Sequence, residues 1–118
     1  MNVKITAIAL LLALSGCSKD RPEPISGGEP KQGAKLLAAY GCASCQQIAG
    51  IAHSDSTVGP SLKELSMRSH VAGVLPNSAG NLEKWIMHPH QFSRNTAMPE
   101  LGVSESEARH MAAYLYRQ

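Results

Sequence analysis

The sequence predicts an all-α domain of four or so short helices joined by long loops. Apolar residues recur at helical spacing in several segments, and no segment alternates strictly between apolar and polar residues as a half-buried strand does. Glycine and proline interrupt the stretches between those segments, which indicates loops. Long loops in a small domain need something to pack against, so this class favours an additional group inside the fold.

The first predicted helix runs over about Lys31–Tyr40. Ala34, Leu37 and Ala38 lie at helical spacing in it, and Gly41 ends it. The segment CASC follows immediately.

The middle of the chain predicts two helices between loops. In chain order these segments are a loop over 48–61, a short helix over 61–67, a loop over 69–80 and a helix over 81–88. Asn81 is expected to cap the second of these helices and Pro89 to stop it.

The last helix has the clearest start signal. After a loop that reaches about Val103, Ser104 is followed three residues later by Glu107, which is the pattern of a capping box. One face of the predicted helix carries Ala108, Met111, Ala112 and Leu115.

Length and composition restrict the chain to one small domain. It has 118 residues, with 11 basic and 9 acidic side chains that are scattered rather than clustered, so nothing favours nucleic-acid binding. There are only one Trp, one Phe and three Tyr to fill a core. Small domains of this kind usually need a disulfide, a metal or a prosthetic group for stability.

The N-terminus has the pattern of a bacterial lipoprotein signal. A positively charged start precedes the apolar run Ile5–Leu14, which is too short to span a bilayer. The run ends in the sequence LSGC, residues 14–17, which resembles a lipobox and implies a signal peptide over residues 1–16 and lipidation of Cys17. Ser18 resembles an outer-membrane sorting signal. The alternative is an ordinary secretory signal with a chance cysteine.

A tether is predicted between this anchor and the domain. Residues 18–30, SKDRPEPISGGEP, contain three Pro and two Gly among charged and small residues, a composition that buries little apolar surface. We therefore expect residues 17–30 to be a lipidated, flexible segment and residues 31–118 to be the folded domain.

The remaining two cysteines, Cys42 and Cys45, form a C-x-x-C pair. On an exported chain such a pair is bound to haem, joined in a disulfide, or redox-active. A thioredoxin-like pair requires a preceding strand, which the sequence does not predict. In a haem attachment motif the next residue is the iron-ligating histidine, and here that residue is Gln46.

Six segments in order resemble class I cytochrome c domains, most closely the cytochrome c domain fused to some subunits II of haem–copper oxidases. They are GAKLLAAYGCASC, VGPSL, AGVLPN, NLEKWI, TAMP and SESEARHMAAYL, and together they cover nearly all of residues 31–118. The resemblance implies a small class I cytochrome c fold around one haem c, with Cys42 and Cys45 as the thioether cysteines. It also implies a contact of Gly33 and Leu37 with the last helix near Tyr114.

The resemblance implies further roles around the haem. Met98, which precedes a proline, matches the distal iron ligand, and Pro60 belongs to the Gly-Pro pair that orients the proximal histidine. Arg68 and Trp85 match positions near the haem propionates. The alternatives are core packing for Met98, a solvated surface position for Arg68, and simple burial for Trp85.

Gln46 departs from this pattern, because an amide is a poor ligand for haem iron. The attachment machinery of the family generally recognises the histidine too, so the substitution leaves both ligation and covalent attachment open. His53 could reach the proximal side only if its loop refolded. His88 and His90 have metal-ligand spacing without a further ligand, and His70 and His110 are expected on the surface.

Three interpretations of Gln46 stay open. It is an engineered or erroneous residue in an ordinary cytochrome, a natural change that opens the iron to a small ligand, or the mark of a haem-free domain with a Cys42–Cys45 disulfide. The last conflicts with the presence of Met98, Pro60 and Trp85.

The function that the sequence predicts is one-electron transfer in a respiratory chain. The protein would be a haem-binding lipoprotein on the periplasmic or extracellular side of a bacterial membrane, and not an enzyme. Its expected partners are other redox proteins or a terminal oxidase, in transient contact. The rivals are a haem-based small-ligand sensor and a haem-free accessory protein.

Overall fold

The computed structural model describes residues 25–118, in which helices dominate. The helices are α1 (Pro30–Ala39), α2 (Ala79–Met87), α3 (Pro89–Phe92) and α4 (Glu105–Leu115), and single 3₁₀ turns lie at Cys42–Ser44 and Leu65–Met67. Strands β1 (His70–Val71) and β2 (Leu75–Pro76) pair antiparallel, with His70 opposite Pro76. This two-residue pairing lies in a stretch for which the sequence predicts only a loop, since so short a ladder leaves no alternating pattern.

Helices α1 and α4 pack directly against each other. Gly33 and Leu37 are the buried residues of α1. A Cβ added at Gly33 would lie 2.0 Å from the carbonyl oxygen of His110, so the two backbones approach as closely as only glycine allows. The predicted contact of Gly33 with the last helix is confirmed, and His110 is the residue it approaches most closely. Tyr114, near which the contact was expected, donates its hydroxyl to the Ala49 carbonyl at 2.6 Å.

The predicted capping box of the last helix is confirmed. The Ser104 hydroxyl accepts from the Glu107 backbone N–H at 3.3 Å, and the Glu107 carboxylate accepts from the Ser104 backbone N–H at 2.9 Å. The same carboxylate accepts from the Tyr40 hydroxyl at 3.0 Å. The first turn of α4 is thereby joined to the end of α1.

The predicted start of the second long helix is wrong by three residues. Ser78, not Asn81, is the N-cap, because its hydroxyl accepts from the Asn81 backbone N–H at 3.2 Å. The Asn81 side chain instead donates to the Pro76 carbonyl at 2.8 Å. Pro89 ends α2 as expected, and it also begins the four-residue helix α3, which the sequence does not predict.

The short helix predicted over 61–67 is also wrong in extent. Only a 3₁₀ turn at Leu65–Met67 forms, and Glu64 before it has a left-handed backbone (φ 55°), which interrupts a helix. Asn77 then ties this turn to the rest of the domain. Its amide donates to the carbonyls of Leu65 and Arg68 at 2.7 and 2.8 Å, and its side-chain oxygen accepts from the Tyr116 hydroxyl at 2.6 Å.

Residues 25–29, which the sequence assigns to the tether, lie against the domain. Ile25 packs on the hydrophobic core, and the Glu29 backbone N–H donates to Nδ1 of His110 at 2.9 Å. His110, expected on the surface, is therefore partly buried under this segment. The signal peptide, Cys17, Ser18 and the first part of the tether lie outside the described residues. None of the helices within residues 25–118 has the length and apolar character to cross a bilayer.

Candidate functional site

A cavity of about 710 Å³ lies between the helices and the loops that connect them. This volume is within the usual range of ligand and cofactor pockets, about 300–1,000 Å³. Its inner wall is apolar and consists of Leu37 from α1, Leu82, Trp85 and Ile86 from α2, and Met111 and Leu115 from α4. Other lining residues, among them Val58 and Leu101, are exposed at 78% and 43%, so the cavity opens at the surface.

The structure brings all seven site residues predicted around the haem to this one cavity. They are Cys42, Cys45, Gln46, Pro60, Arg68, Trp85 and Met98, and they come from five separate segments of the chain. His53, His88, His90 and His110 are not among the lining residues. His70, expected on the surface, is exposed and also lines the cavity, where its Nδ1 is 3.0 Å from the Ser69 hydroxyl.

The two cysteines lie on a single tight turn at the end of α1. The Cys45 and Gln46 backbone N–H groups both donate to the Cys42 carbonyl, at 3.4 and 3.1 Å. Both side chains are free thiols. Burial raises the pKa of the Cys42 thiol and keeps it protonated, while Cys45 is exposed. Both cysteines therefore line the same cavity, with Cys45 the more accessible of the two.

Hydrogen bonds fix the backbone of Gln46 in the cavity wall. Its side chain has room there because Gly59 has no side chain. The Ser54 hydroxyl donates to the Gln46 carbonyl at 2.8 Å and accepts from the Ile48 backbone N–H. A Cβ added at Gly59 would lie 2.7 Å from Nε2 and 2.9 Å from Oε1 of Gln46. The carboxamide thus lies directly against the Gly59 backbone.

The Oε1 atom of Gln46 is buried and has no hydrogen-bond partner within the described part of the chain. Buried polar atoms almost always have a partner, so an exception in a cavity wall requires an explanation. This oxygen has almost no accessible surface although the cavity is open, so it lies against Gly59 and does not face the cavity.

Arg68 is the charged group of the cavity. The lining includes no acidic residue and no lysine, so the local charge favours an anionic group at this end. One nitrogen of the guanidinium donates to the carbonyls of Ser61 and Lys63, the second at 3.0 Å. Arg68 is exposed at the cavity mouth. This position also agrees with the alternative that Arg68 is a solvated surface residue.

Met98 lies in the loop between α3 and α4. Its backbone N–H donates to the Thr96 hydroxyl at 3.2 Å, and its side chain packs partly buried against the hydrophobic core. His90 Nε2 is 3.3 Å from the Thr96 carbonyl, so this histidine supports the Met98 loop and does not line the cavity.

Sequence reasoning missed two residues that shape the site. Tyr40 lines the cavity, and its hydroxyl donates to Glu107, which raises the pKa of Tyr40. Its place directly before Gly41 and the cysteine pair is a signal that could have identified it. Asn77 fixes the turn that carries Arg68, and no sequence pattern points to its three hydrogen bonds.

The side chains that line the cavity are of the kinds that would hold a c-type haem, except at Gln46. An apolar cavity with two thiols on one turn, a thioether and a single cationic side chain matches the chemistry of that group. Gln46 does not match a strong axial ligand. Within residues 25–118, no cluster of three or more His, Cys, Asp or Glu side chains offers a separate metal site.

Comparison with known proteins gives one partial match. No protein-family model matches the chain, and no solved structure matches it. A cytochrome c oxidase subunit 2 from Alkalihalophilus pseudofirmus is 29% identical over 85 residues, which is 71% of this chain and 24% of that protein. The chain therefore spans about a quarter of the length of the curated relative that it matches, and over most of its own length it is similar to part of an oxidase subunit II.

Proposed function

We propose that this chain is a haem-binding one-electron carrier with a small class I cytochrome c fold. The observation that carries the proposal is the convergence of Cys42, Cys45, Arg68, Trp85 and Met98 on one cavity from distant parts of the chain. Simple core packing does not account for two thiols, a guanidinium and a thioether around the same space. The similarity to an oxidase subunit II supports a role in respiratory electron transfer.

In this proposal each residue has a distinct task toward haem c. Cys42 and Cys45 would hold the group by adding their S–H across its two vinyl groups, and Met98 would supply a soft thioether ligand that raises the reduction potential. The Arg68 guanidinium and the Trp85 indole N–H serve the propionates. When bound, the haem supplies reversible one-electron exchange at its iron.

The protein's own contribution is to keep the inner end of the cavity dry and the outer end accessible. Leu82 and Ile86 are buried in the inner wall, while Val58 and Leu101 are exposed at the mouth. Exposed apolar residues at the cavity mouth suit brief contact with a redox partner. We propose other redox proteins or a terminal oxidase as that partner.

We also propose that lipid on Cys17 anchors the protein to the periplasmic or extracellular side of a bacterial membrane. Ser18 favours the outer membrane. The resemblance of residues 1–17 to a lipoprotein signal supports this arrangement. In it the protein acts as a carrier and not as an enzyme.

The test is an absorption spectrum of the full chain, exported from a bacterium that attaches haem. We expect a Soret band, and a haem stain that persists after denaturing electrophoresis. Cys42→Ala with Cys45→Ala should abolish the persistent stain. Absence of any haem band, both in the exported protein and after addition of haem, would contradict the proposal and favour the haem-free alternative.

The proposed role of Met98 as iron ligand is tested by comparison with Met67, a methionine that does not line the cavity. Met98→Leu should lower the reduction potential and change the spectrum, because it removes the thioether ligand. Met67→Leu should leave both unchanged, because Met67 is 77% exposed and does not line the cavity. Equal behaviour of the two variants would exclude Met98 as the ligand.

A further inference from the structure

We propose that residues 25–29 form a strap that protonation of His110 releases from the domain. The strap lies on α4, where the Glu29 backbone N–H donates to Nδ1 of His110 at 2.9 Å. A backbone N–H only donates, so this Nδ1 is the unprotonated nitrogen of a neutral imidazole. In an imidazolium both ring nitrogens carry hydrogen, and two N–H groups would then face each other. The contact is therefore available only to neutral His110.

The strap fits closely against α4 because Gly28 has no side chain. A Cβ added at Gly28 would lie 2.6 Å from Cβ of Ala113 and 2.8 Å from the carbonyl oxygen of Arg109. The Gly28 backbone N–H donates to the Ile25 carbonyl at 3.1 Å, which closes a turn. The Ile25 side chain packs against the hydrophobic core. The strap thus has a defined conformation on a defined surface.

Few interactions hold the strap, so the loss of one shifts its equilibrium. Ile25 is its one apolar side chain, whereas Ser26, Gly27 and Glu29 are exposed. Within the described residues, the Glu29–His110 bond is the one hydrogen bond that joins the strap to α4. Ordering five residues costs conformational entropy, and little else here offsets that cost.

Neighbouring charges do not give a protonated His110 a replacement contact. The charged and titratable side chains of the strap, of α1, of α4 around His110 and of the segments that these contact are Glu29, Lys31, Lys35, Tyr40, His53, Asp55, Glu83, Glu105, Glu107, Arg109 and Tyr114. Arg109 pairs with Glu83 and Glu105, and Glu107 accepts from Ser104 and Tyr40. Neither of the ion pairs within residues 25–118 involves His110.

Release changes where the preceding chain leaves the domain. Met111 lines the cavity, whereas Arg109 and Ala113, which contact the strap, are each two residues from it and so lie about 160° away around the helix axis. The docked strap therefore lies on the side of α4 that faces away from the cavity. Freeing five residues adds up to about 17 Å of reach. In a lipid-anchored domain, as proposed above, this gives the cavity mouth more freedom to meet a partner.

NMR of the ¹⁵N-labelled full chain at about pH 7.5 and about pH 5, on either side of the range in which histidine titrates, tests the release. Protection of the Glu29 amide against solvent exchange, corrected for the intrinsic rate, should fall about three- to tenfold at the lower pH, as expected for one hydrogen bond. Backbone order parameters of residues 25–28 should fall with it, from about 0.85 toward about 0.6. Lower Glu29 protection with unchanged order parameters would mean that the bond breaks without release, and would overturn the inference.

His110→Asn separates titration of the ring from the rest of the contact. The asparagine side-chain oxygen can accept in place of Nδ1 and does not titrate in this range. We expect this variant to keep the strap docked at both pH values. His110→Ala, which removes the acceptor, should lower Glu29 protection at both. A pH response that persists in His110→Asn would assign the effect to another group and overturn the inference.

Two control variants leave the contact itself intact. His53→Asn replaces an exposed histidine with φ 57°, a left-handed conformation that asparagine tolerates. Glu29→Gln removes the carboxylate but keeps the backbone N–H that donates to His110. Both should show the wild-type pH response. Its loss in either variant would show that His110 is not the switch.

Gly28→Ala tests the fit of the strap without changing a titratable group. The added Cβ would meet Ala113 and the Arg109 backbone, so the strap should be mobile at both pH values. Gly80→Ala, which meets nothing within 4 Å, should leave it docked at neutral pH. Unchanged order parameters in Gly28→Ala would contradict the docked position. The strap and His110 do not line the cavity, so these results are independent of whether the chain binds haem.

Discussion

Gly33 reverses the usual effect of glycine in a helix. Alanine normally stabilises a helix relative to glycine. A Cβ at this position, however, would lie 2.0 Å from the His110 carbonyl oxygen and 3.1 Å from the Met111 nitrogen, both of them backbone atoms of α4. Gly33→Ala should therefore force α1 and α4 apart and destabilise the protein by about 1–3 kcal/mol, the usual cost of overpacking. Urea unfolding followed by circular dichroism measures this.

Gly80→Ala is the control for Gly33→Ala. Gly80 lies in the first turn of α2 with no atom within 4 Å of the added Cβ, so the helix preference acts alone. We expect a gain in the free energy of unfolding of at most about 1 kcal/mol. A similar gain in Gly33→Ala would show that the helices do not approach as closely as described.

Glu107 makes the first turn of α4 sensitive to pH. The Ser104 backbone N–H, the Ser104 hydroxyl and the Tyr40 hydroxyl all donate to its carboxylate and lower its pKa. Stability from this group is therefore fully present above the unfolded glutamate pKa of about 4.3, and it is lost as pH falls through the lower folded value.

The corresponding variant is Glu107→Gln, measured by urea unfolding at several pH values. It should be less stable than the wild type at pH 7, and the difference should shrink as pH falls below about 4, because the wild-type carboxylate is then increasingly protonated. Glu100→Gln is the control, since Glu100 is exposed in the loop before α4. A pH-independent difference for Glu107→Gln would assign the effect to packing rather than charge.

The helices show which element boundaries local sequence can predict and which it cannot. The start of α4 was predictable because both partners of the capping box lie within four residues of each other. The start of α2 was not, because Asn81 and Ser78 are both good caps, and the contact of Asn81 with Pro76 decides between them. The left-handed Glu64 that shortens the predicted helix over 61–67 has no sequence signal.

The candidate site was predictable in its members but not in its internal contacts. Cys42, Trp85 and Met98 were identified by their resemblance to a family pattern, since residues so far apart in sequence have no shared periodicity. The buried, unpartnered state of the Gln46 oxygen depends on the position of Gly59, thirteen residues later. Only the tertiary structure brings these two residues into contact.

At the scale of the whole molecule, the domain has two parts. Helices α1 and α4 pack directly against each other, whereas the connecting loops border the cavity. α1 and α4 are joined by the Gly33–His110 approach and by the Tyr40–Glu107 hydrogen bond. The walls around Val58, Ala72 and Leu101 consist of loops that border the cavity. Loops with few buried apolar contacts of their own open more easily than packed helices.

In the proposed haem-bound form, removal of the haem should therefore loosen the loops more than the α1–α4 pair. Native-state hydrogen exchange on the Cys42→Ala, Cys45→Ala chain without haem, compared with the loaded wild type, measures this segment by segment. We expect amide protection to fall over residues 58–73 and 93–103, and protection in α1 and α4 to change much less. Uniform loss across all segments would mean that the two helices depend on the haem as much as the loops do. Unchanged loop protection would mean that the cavity walls are held by the chain alone, as the hydrogen bonds of Asn77 already hold the turn before Arg68.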